Sequence, residues 1–323
     1  MKIIDPHLHL FDLSQGEYSW LKPECPPFWP DKSLVAKNFS EHDLRLNESL
    51  KLTGFVHIEA GFNNQQPWRE IAWLENTCKL PFRSVAMLDI TLPNVEFLSQ
   101  LNKLSSYKSV VGIRYILDEN ALAILSHKNC ATNLVTLASY KLSFDLQMPL
   151  SNNAAVDKLL AVLTLASELK VCINHAGWPP LYSLKDNEKS NEKSNEKDNI
   201  QTQQWLQNLK RLASLDNIYI KCSGFEMIEK NYSISWAHNI IHQCINTFGI
   251  SRVMLASNFP LNLFQTSYQN TWLSYLSLTK NSLSNITNIS NISNTESADT
   301  SFLYNNEQFT QLCFSNAQRF YQF

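Results

Sequence analysis

Two kinds of hydrophobic pattern alternate along the chain. Short runs rich in β-branched and aromatic residues, typical of buried strands, cover residues 2–10, 53–59, 83–89, 109–116, 142–148, 170–175, 217–222 and 252–258. Between them, apolar residues recur every three or four positions, which predicts helices, for example over residues 68–79, 95–105, 155–169, 202–215 and 236–248. Eight strands that alternate with helices predict a parallel sheet closed into a single-domain (β/α)8 barrel of the TIM type, spanning residues 1–323. The chain has no Gly-x-Gly-x-x-Gly motif to favour an open doubly wound sheet.

Polar residues stand at or just after the carboxyl ends of these predicted strands. The carboxyl ends of barrel strands and their loops build the functional site in this architecture. On the first strand, Asp5, His7 and His9 share one face because successive side chains alternate. We therefore expect one cavity lined by His7, His9, Glu59, Arg114, Gln147, His175, Ser223 and Asn258.

Three more ionisable residues lie deeper in the predicted strands. The same alternation predicts that His57, Asp145 and Lys221 face the barrel interior. A buried charge needs a partner, so Lys221 is expected to pair with Asp5 or Asp145.

Composition narrows the class of partner. The chain has 27 basic and 29 acidic residues and a net charge of −2, with no basic stripe, which argues against a nucleic-acid ligand and favours a small molecule. No signal peptide or membrane-spanning apolar run is present, so a cytoplasmic protein is expected. Seven scattered cysteines favour reduced thiols. Nothing in the sequence indicates the oligomeric state.

Two stretches have low sequence complexity. Residues at about 184–200 repeat Asn-Glu-Lys, and residues 279–300 are rich in Ser, Asn and Thr. Because neither contributes a packed apolar face, both are interpreted as insertions. The first follows the sixth strand, where a lid is one interpretation and an inert expansion the other.

The strand-end motifs resemble those of the amidohydrolase superfamily. The similarity covers nearly the whole chain and is closest to the branch of TIM-barrel metal-dependent hydrolases that includes sugar lactonases and 2-pyrone-4,6-dicarboxylate lactonase. The motifs that carry it are Ile4-Asp5-Pro6-His7-Leu8-His9, Val56-His57-Ile58-Glu59-Ala60, Gly112-Ile113-Arg114, Phe144-Asp145-Leu146-Gln147, Asn174-His175-Ala176-Gly177, Lys221-Cys222-Ser223-Gly224, Ser257-Asn258-Phe259-Pro260 and Ser315-Asn316-Ala317. The resemblance implies hydrolysis of a cyclic ester by an activated water, with an aspartate at the end of the eighth strand as general base.

This chain departs from that pattern at the eighth strand, where the aspartate is replaced by Asn258. An amide does not usefully accept a proton near neutral pH. Three interpretations stay open: Asn258 orients the water while Glu59 or a histidine accepts the proton, the chemistry is altered, or the barrel binds a ligand without turnover.

Metal use is also open. His7, His9, His175 and Glu59 are ligands that Zn²⁺ or Mn²⁺ accepts, and such an ion lowers the pKa of bound water. Against it, Gln147 replaces the histidine that the resemblance implies, and Asn258 brings no negative charge. In the metal-free alternative, the histidines polarise the carbonyl directly.

Arg114 and Gln147 are predicted to bind substrate, because a guanidinium suits a carboxylate or several sugar oxygens. The alternative for Arg114 is an internal ion pair with Asp89 or Glu59. Trp20 and Trp178, in loops at the barrel mouth, are predicted to wall the pocket, with simple loop packing as their alternative.

The sequence thus predicts a hydrolase that opens a lactone, with His7, His9, Glu59, His175 and Asn258 as the catalytic set. The alternatives are an amide hydrolase or decarboxylase on the same scaffold, or a non-catalytic ligand-binding paralogue.

Overall fold

A computed structural model of the chain describes residues 1–47, 49–181, 196–279 and 303–323. Most of the two predicted insertions, at about 184–200 and 279–300, lies outside the described residues. None of the helices in the described part is both long and apolar enough to cross a membrane.

Eight parallel strands form one sheet in chain order, which confirms the predicted barrel. They are β1 (Lys2–Leu8), β2 (Lys51–Ile58), β3 (Phe82–Met87), β4 (Val110–Ile116), β5 (Ser143–Gln147), β6 (Val171–Ile173), β7 (Ile218–Cys222) and β8 (Val253–Leu255). Leu8 of β1 pairs with Phe259, in the segment after β8. The backbone N–H of Asn258 donates to the His7 carbonyl at 2.9 Å. This contact joins the first and last strands and closes the barrel.

Helices follow the strands as the apolar spacing predicts. Their bounds are α1 (Trp68–Thr77), α2 (Asn94–Ser105), α3 (Ala121–Ser126), α4 (Cys130–Ser139), α5 (Asn153–Leu165), α6 (Glu196–Ala213), α7 (Ile234–Phe248), α8 (Tyr268–Leu276), α9 (Asn306–Thr310) and α10 (Asn316–Tyr321). Their buried faces pack against the outside of the barrel, where one large apolar cluster joins helices and strands. Burial of this face, more than intrinsic propensity, stabilises such helices.

The last helix seals the amino-terminal end of the barrel. Phe320 and Tyr321 of α10 pack in a second apolar cluster with strand residues such as Ile4, Val56 and Met254. The side-chain Nδ2 of Asn316, in the same helix, donates to the backbone carbonyl of Val253 at the start of β8, at 2.7 Å. The opposite, carboxyl end of the barrel therefore carries the polar strand ends.

Lys221 is fully buried inside the barrel and is paired. Its Nζ lies 2.5 Å from Asp145 Oδ2, and the Tyr321 hydroxyl donates to the same carboxylate at 3.0 Å. The second of the two predicted partners, Asp145, is thus confirmed. Asp5 instead accepts hydrogen bonds from the His7 and Ser257 amides.

Candidate active site

Three histidines gather at the carboxyl end of the barrel. His7 lies between the other two, with ring-centroid distances of 5.2 Å to His9 and 4.6 Å to His175. Both ring nitrogens of His7 are buried and have no hydrogen-bond partner among the described residues. Buried polar atoms are nearly always paired, so an unpaired imidazole marks a place where a ligand or water is expected.

The ring of His9 is fixed by the neighbouring strand. Its Nδ1 lies 2.8 Å from the Ile58 carbonyl of β2. A carbonyl accepts hydrogen bonds, so Nδ1 carries the proton and Nε2 presents a lone pair.

His57 lies behind His9, on the side of the helices. The prediction that His57 faces inward is wrong: its Nε2 lies 3.0 Å from Glu70 Oε1 on α1. Its Nδ1 accepts from the Leu10 amide at 3.2 Å. Alternation holds on β2 with the opposite phase: Val56 and Ile58 pack inside the barrel, so His57 between them faces the helices, where Glu70 is its buried partner.

His175 stands just beyond β6, in a tight turn with left-handed backbone. The φ angles of His175, Ala176 and Trp178 are 53°, 52° and 52°. Non-glycine residues rarely adopt this conformation, and such strain concentrates at functional sites. The turn stacks the Trp178 indole on the His175 ring at 4.6 Å.

The turn after β7 supports His175 from the other side. Ser223 Oγ lies 3.1 Å from His175 Nδ1. Gly224 has a φ of 67°, and a Cβ at this position would lie 2.3 Å from the same Nδ1. Glycine is therefore required for the imidazole to hold its place.

The three imidazoles are neutral near pH 7. Burial lowers the pKa of His7, His9 and His175 well below 6.5. Lys221 acts in the same direction on His7 and His175, and Arg114 on all three, because a nearby positive charge disfavours the imidazolium. Each ring therefore offers one N–H donor and one lone pair.

Arg114 is held by internal partners. Its Nε lies 2.8 Å from Glu59 Oε1, and one terminal nitrogen donates to the Glu59 carbonyl at 2.6 Å. The other terminal nitrogen donates to Gln147 Oε1 at 3.0 Å. The internal ion pair with Glu59, weighed as an alternative, is thus present. Substrate binding by Arg114 stays a prediction, because two of the five guanidinium N–H groups remain outside these bonds.

Gln147 extends this network towards Trp178. Its Nε2 donates to Asp118 Oδ2 at 3.2 Å, and the Trp178 indole N–H donates to Asp118 Oδ1 at 3.0 Å. Burial raises the pKa of Asp118. The half-buried Trp20 lies elsewhere on the rim, donating its indole N–H to the Ala60 carbonyl at 2.8 Å. The substrate-binding roles of Gln147, Trp20 and Trp178 stay predictions.

Asn258, at the carboxyl end of β8, is paired with a carboxylate. Its Nδ2 donates to Glu226 Oε1 at 2.6 Å, whereas its Oδ1 is buried with no partner in the described part of the chain. Burial raises the pKa of Glu226 to about 7, and the bond from Asn258 offsets part of this rise. The φ of Asn258 is 59°, in the left-handed region that non-glycine residues rarely adopt.

The predicted metal ligands have suitable chemistry but not the required arrangement. His9, with Nδ1 bonded to a carbonyl, has the tautomer common in metal-bound imidazoles. However, no three His, Cys, Asp or Glu side chains in the described ranges are placed to hold one ion. Oε1 of Glu59 is bonded to Arg114, and Asn258 supplies no charge. As arranged, His7, His9, His175 and Glu59 do not fit a resident metal.

A family model described as "Amidohydrolase" matches residues 4–323. The chain belongs to the amidohydrolase family. This confirms the resemblance seen in the strand-end motifs. An uncharacterised protein of Sinorhizobium fredii is 25% identical over 291 residues, covering 86% of this chain and 91% of that protein.

Solved structures share the fold of this amidohydrolase. An amidohydrolase from Burkholderia multivorans, solved with HEPES and separately with zinc, aligns with TM-scores of 0.72 and 0.71 at 15% and 16% identity, over 100% of this chain and 99% of that one. A Pseudomonas putida protein described as a 2-pyrone-4,6-dicarboxylic acid hydrolase has a TM-score of 0.59 at 14% identity, over 99% and 97% of the two chains. A Rhizobium 2,6-dihydroxybenzoate decarboxylase has a TM-score of 0.56 at 11% identity, over 99% and 98%.

Sequence reasoning missed two carboxylates of this site, Glu226 and Asp118. Both lie in loops after strands, outside the strand-end positions that alternation selects. Glu226 follows Ser223-Gly224 by two residues, so its proximity to a predicted site residue was the available signal.

Proposed function

We propose that this amidohydrolase opens a lactone, a sugar-acid lactone or related cyclic ester, by attack of water on the carbonyl carbon. The observation that carries the proposal is His7, whose two buried ring nitrogens lack partners among the described residues while the neutral rings of His9 and His175 lie beside it. Such a cluster suits a neutral, polar group like an ester carbonyl better than an anion, because it carries no positive charge.

In this reaction, the imidazoles stabilise charge that develops on the carbonyl oxygen. His7 supplies the N–H of whichever ring nitrogen carries its proton. His175 supplies Nε2–H, because Ser223 is able to donate its hydroxyl proton to His175 Nδ1. N–H donors fixed in a water-poor pocket stabilise an oxyanion without reorganising. The lone pair on His9 Nε2 accepts a hydrogen bond from a substrate hydroxyl or from water.

Asn258 positions the attacking water. Its unpaired Oδ1 accepts a hydrogen bond from the water, while Glu226 fixes the amide through Nδ2. The amide itself takes no proton, so the proton leaves to a neighbouring group.

The rest of the substrate contacts the opposite rim in this proposal. The two free N–H groups of Arg114 and the side chain of Gln147 bind hydroxyl or carboxylate oxygens. Trp178 covers one face of the His175 imidazole, on which it stacks, and Trp20 borders the pocket. Glu59 keeps Arg114 oriented for this contact.

Three alternatives rest on the same pocket. The decarboxylase relative supports a reaction that releases carbon dioxide, and amide hydrolysis uses the same attack by water. Loss of the aspartate at position 258 supports a ligand-binding protein without turnover. Product analysis separates the first two from lactone hydrolysis, because the products differ chemically.

A panel of aldonolactones assayed by proton release tests the proposal, because each opened lactone yields a carboxylic acid that is ionised at pH 7 and so releases one proton. We expect turnover of at least one lactone and a loss of about 10²- to 10⁴-fold in kcat for His175→Ala. The matched control is His127→Ala, which changes an exposed histidine after α3 and should leave kcat unchanged. Absence of turnover across the panel, or equal activity of both variants, contradicts the proposal.

A further inference from the structure

The turn after β7 connects a carboxylate to the histidine cluster. Ser223 contacts His175, and Glu226 in the same turn accepts from Asn258. The Asn258 backbone amide in turn donates to the His7 carbonyl. Glu226 therefore belongs to the same connected group as the histidines, although it lies on no strand.

We propose that Glu226 is a further catalytic residue of this chain, the group that accepts the proton of the attacking water in place of the aspartate that Asn258 replaces. The proposal rests on the lactone hydrolysis proposed above. It assigns a carboxylate to the position where the resemblance implies one, displaced from the end of β8 to the adjacent turn.

The pairing of Glu226 favours this role over a purely structural one. Its side chain is bonded to a neutral amide, with no ion pair to a lysine or arginine among the described residues. Glu226 is only 4% exposed and Asn258 1%, so the pair is buried between the segments that follow β7 and β8. A buried carboxylate without a cationic partner is costly, and such groups are typically retained for function.

The protonation behaviour of Glu226 agrees with this geometry. Burial raises its pKa to about 7, where a general base works best at neutral pH. The titratable groups that its charge acts on are Tyr232 in its own loop and Tyr275 of α8. Burial raises the pKa of both tyrosines far above neutrality, so they stay uncharged across the assay range.

Other candidate bases are less suitable. Oε1 of Glu59 accepts from Arg114, and the Glu59 carbonyl accepts from the same guanidinium. The histidines have pKa values held low by burial, which makes them weak proton acceptors at neutral pH.

The proton and electron balance of the step is complete. The water oxygen forms a bond to the carbonyl carbon as its proton moves to Glu226, and the carbonyl π electrons move to oxygen. Collapse of the tetrahedral intermediate breaks the ring C–O bond, and the leaving alkoxide takes the proton back from Glu226. The new carboxylic acid then ionises to solvent, which is the proton that the assay detects.

The first test compares Glu226→Gln with Glu229→Gln, a matched change three residues later in the same loop. We expect Glu226→Gln to lower kcat by about 10²- to 10⁴-fold with a smaller change in KM, and Glu229→Gln to leave both unchanged. In the wild type, kcat/KM should fall below about pH 7 as Glu226 takes up a proton. Retention of kcat and of this acid limb in Glu226→Gln overturns the assignment.

The second test moves the carboxylate back to β8. Asn258→Asp combined with Glu226→Gln should recover at least tenfold of the lost kcat. Asn258→Asp alone should lower kcat, because it places two carboxylates side by side. If Glu226→Gln does not fold, as judged by circular dichroism and Tm, Glu226→Ala with added formate takes its place. Formate should restore activity in a concentration-dependent way, and no rescue by either route overturns the assignment.

These outcomes separate the two proposals. If the wild type turns over a lactone but Glu226→Gln is as active as Glu229→Gln, Glu226 is not the base and the lactonase proposal stands. If the wild type turns over no lactone of the panel, lactone hydrolysis fails and the role of Glu226 in it fails as well.

Discussion

Arg114 Nε and Glu59 Oε1 lie 2.8 Å apart and join the carboxyl ends of β4 and β2 across the neighbouring strand β3. The contact continues through Gln147 and Asp118 to the Trp178 indole. One polar network thus links the ion pair to the tryptophan that stacks on His175.

Removing one partner of this ion pair should destabilise the protein strongly. Arg114→Met leaves the Glu59 carboxylate buried without its cation, which we expect to lower the free energy of unfolding by about 3–5 kcal/mol. Glu59→Gln in the same chain should recover part of the loss, because the two residues act together. Urea unfolding of the two single variants and the double variant measures this coupling.

The exposed pair Arg211–Asp157 provides the control. Its side chains are 36% and 63% exposed, so Arg211→Met should cost less than about 1 kcal/mol. Equal costs for Arg211→Met and Arg114→Met, or strictly additive effects of the Arg114 and Glu59 changes, would count against the buried pair.

Gly224→Ala should reduce activity as well as stability. The new methyl group would lie 2.3 Å from His175 Nδ1, so the imidazole must move, and kcat should fall by about 10²-fold. Gly249→Ala is the matched control, because Gly249 also has a positive φ, of 75°, but no atom lies within 4 Å of the built Cβ. Both variants should lose about 1–3 kcal/mol of stability from backbone strain. Kinetic loss in both, or in neither, would show that the contact with His175 is irrelevant.

Stability should depend on pH through Glu226. Burial raises its pKa from 4.5 to about 7, so between these values the folded state binds a proton that the unfolded state does not. The free energy of unfolding therefore falls as pH rises through this window, by something on the order of 3 kcal/mol, and stays lower above pH 7.

Unfolding of the wild type, Glu226→Gln and Glu229→Gln at about pH 5 and 7.5 measures this effect. Glu226→Gln should gain stability relative to the wild type as pH rises, and Glu229→Gln should follow the wild type. The buried histidines act with the opposite sign as pH falls below 6.5, but they are common to all three proteins and cancel. Parallel behaviour of wild type and Glu226→Gln would contradict the raised pKa.

Metal removal should leave lactone hydrolysis intact. Since His7, His9, His175 and Glu59 are not arranged around one point, dialysis against a chelator should change kcat by no more than about twofold. Metal analysis of the protein before this dialysis, purified without chelator, should find far less than one ion per chain. Activity that is lost with the chelator and restored by Zn²⁺ or Mn²⁺ would instead support the metal-bound alternative.

The barrel and the cluster of strand-end residues could be predicted because both follow from period-two alternation and the rule that parallel strands end together. His7, His9 and His175 meet because the carboxyl ends of parallel strands share one rim; alternation does not orient His175, which lies past β6 in a turn. The orientation of His57 was predicted wrongly because Glu59 lies past the end of β2 and does not set the phase of that strand; Val56 and Ile58 face the interior, and His57 faces Glu70. The pairing of Arg114 with Glu59 depends on the register between strands, and sequence pattern alone left two partners open.

Glu226 shows a different limit of sequence reasoning. It lies in a turn, where alternation has no meaning, and its position is set by Gly224 with a φ of 67° and by the bond from Asn258. Departure from the family pattern at position 258 indicated that a carboxylate was missing. It did not indicate where a replacement lies, because that requires the spatial relation between the β7 and β8 loops.

Hydrolysis of an active lactone in ¹⁸O-labelled water, under single-turnover conditions, reports which carbon the water attacks. Attack on the carbonyl carbon places the label in the carboxylate of the product acid, which is the position we expect. Label in the new hydroxyl group, or a product formed with no label, would contradict attack of water on the carbonyl carbon.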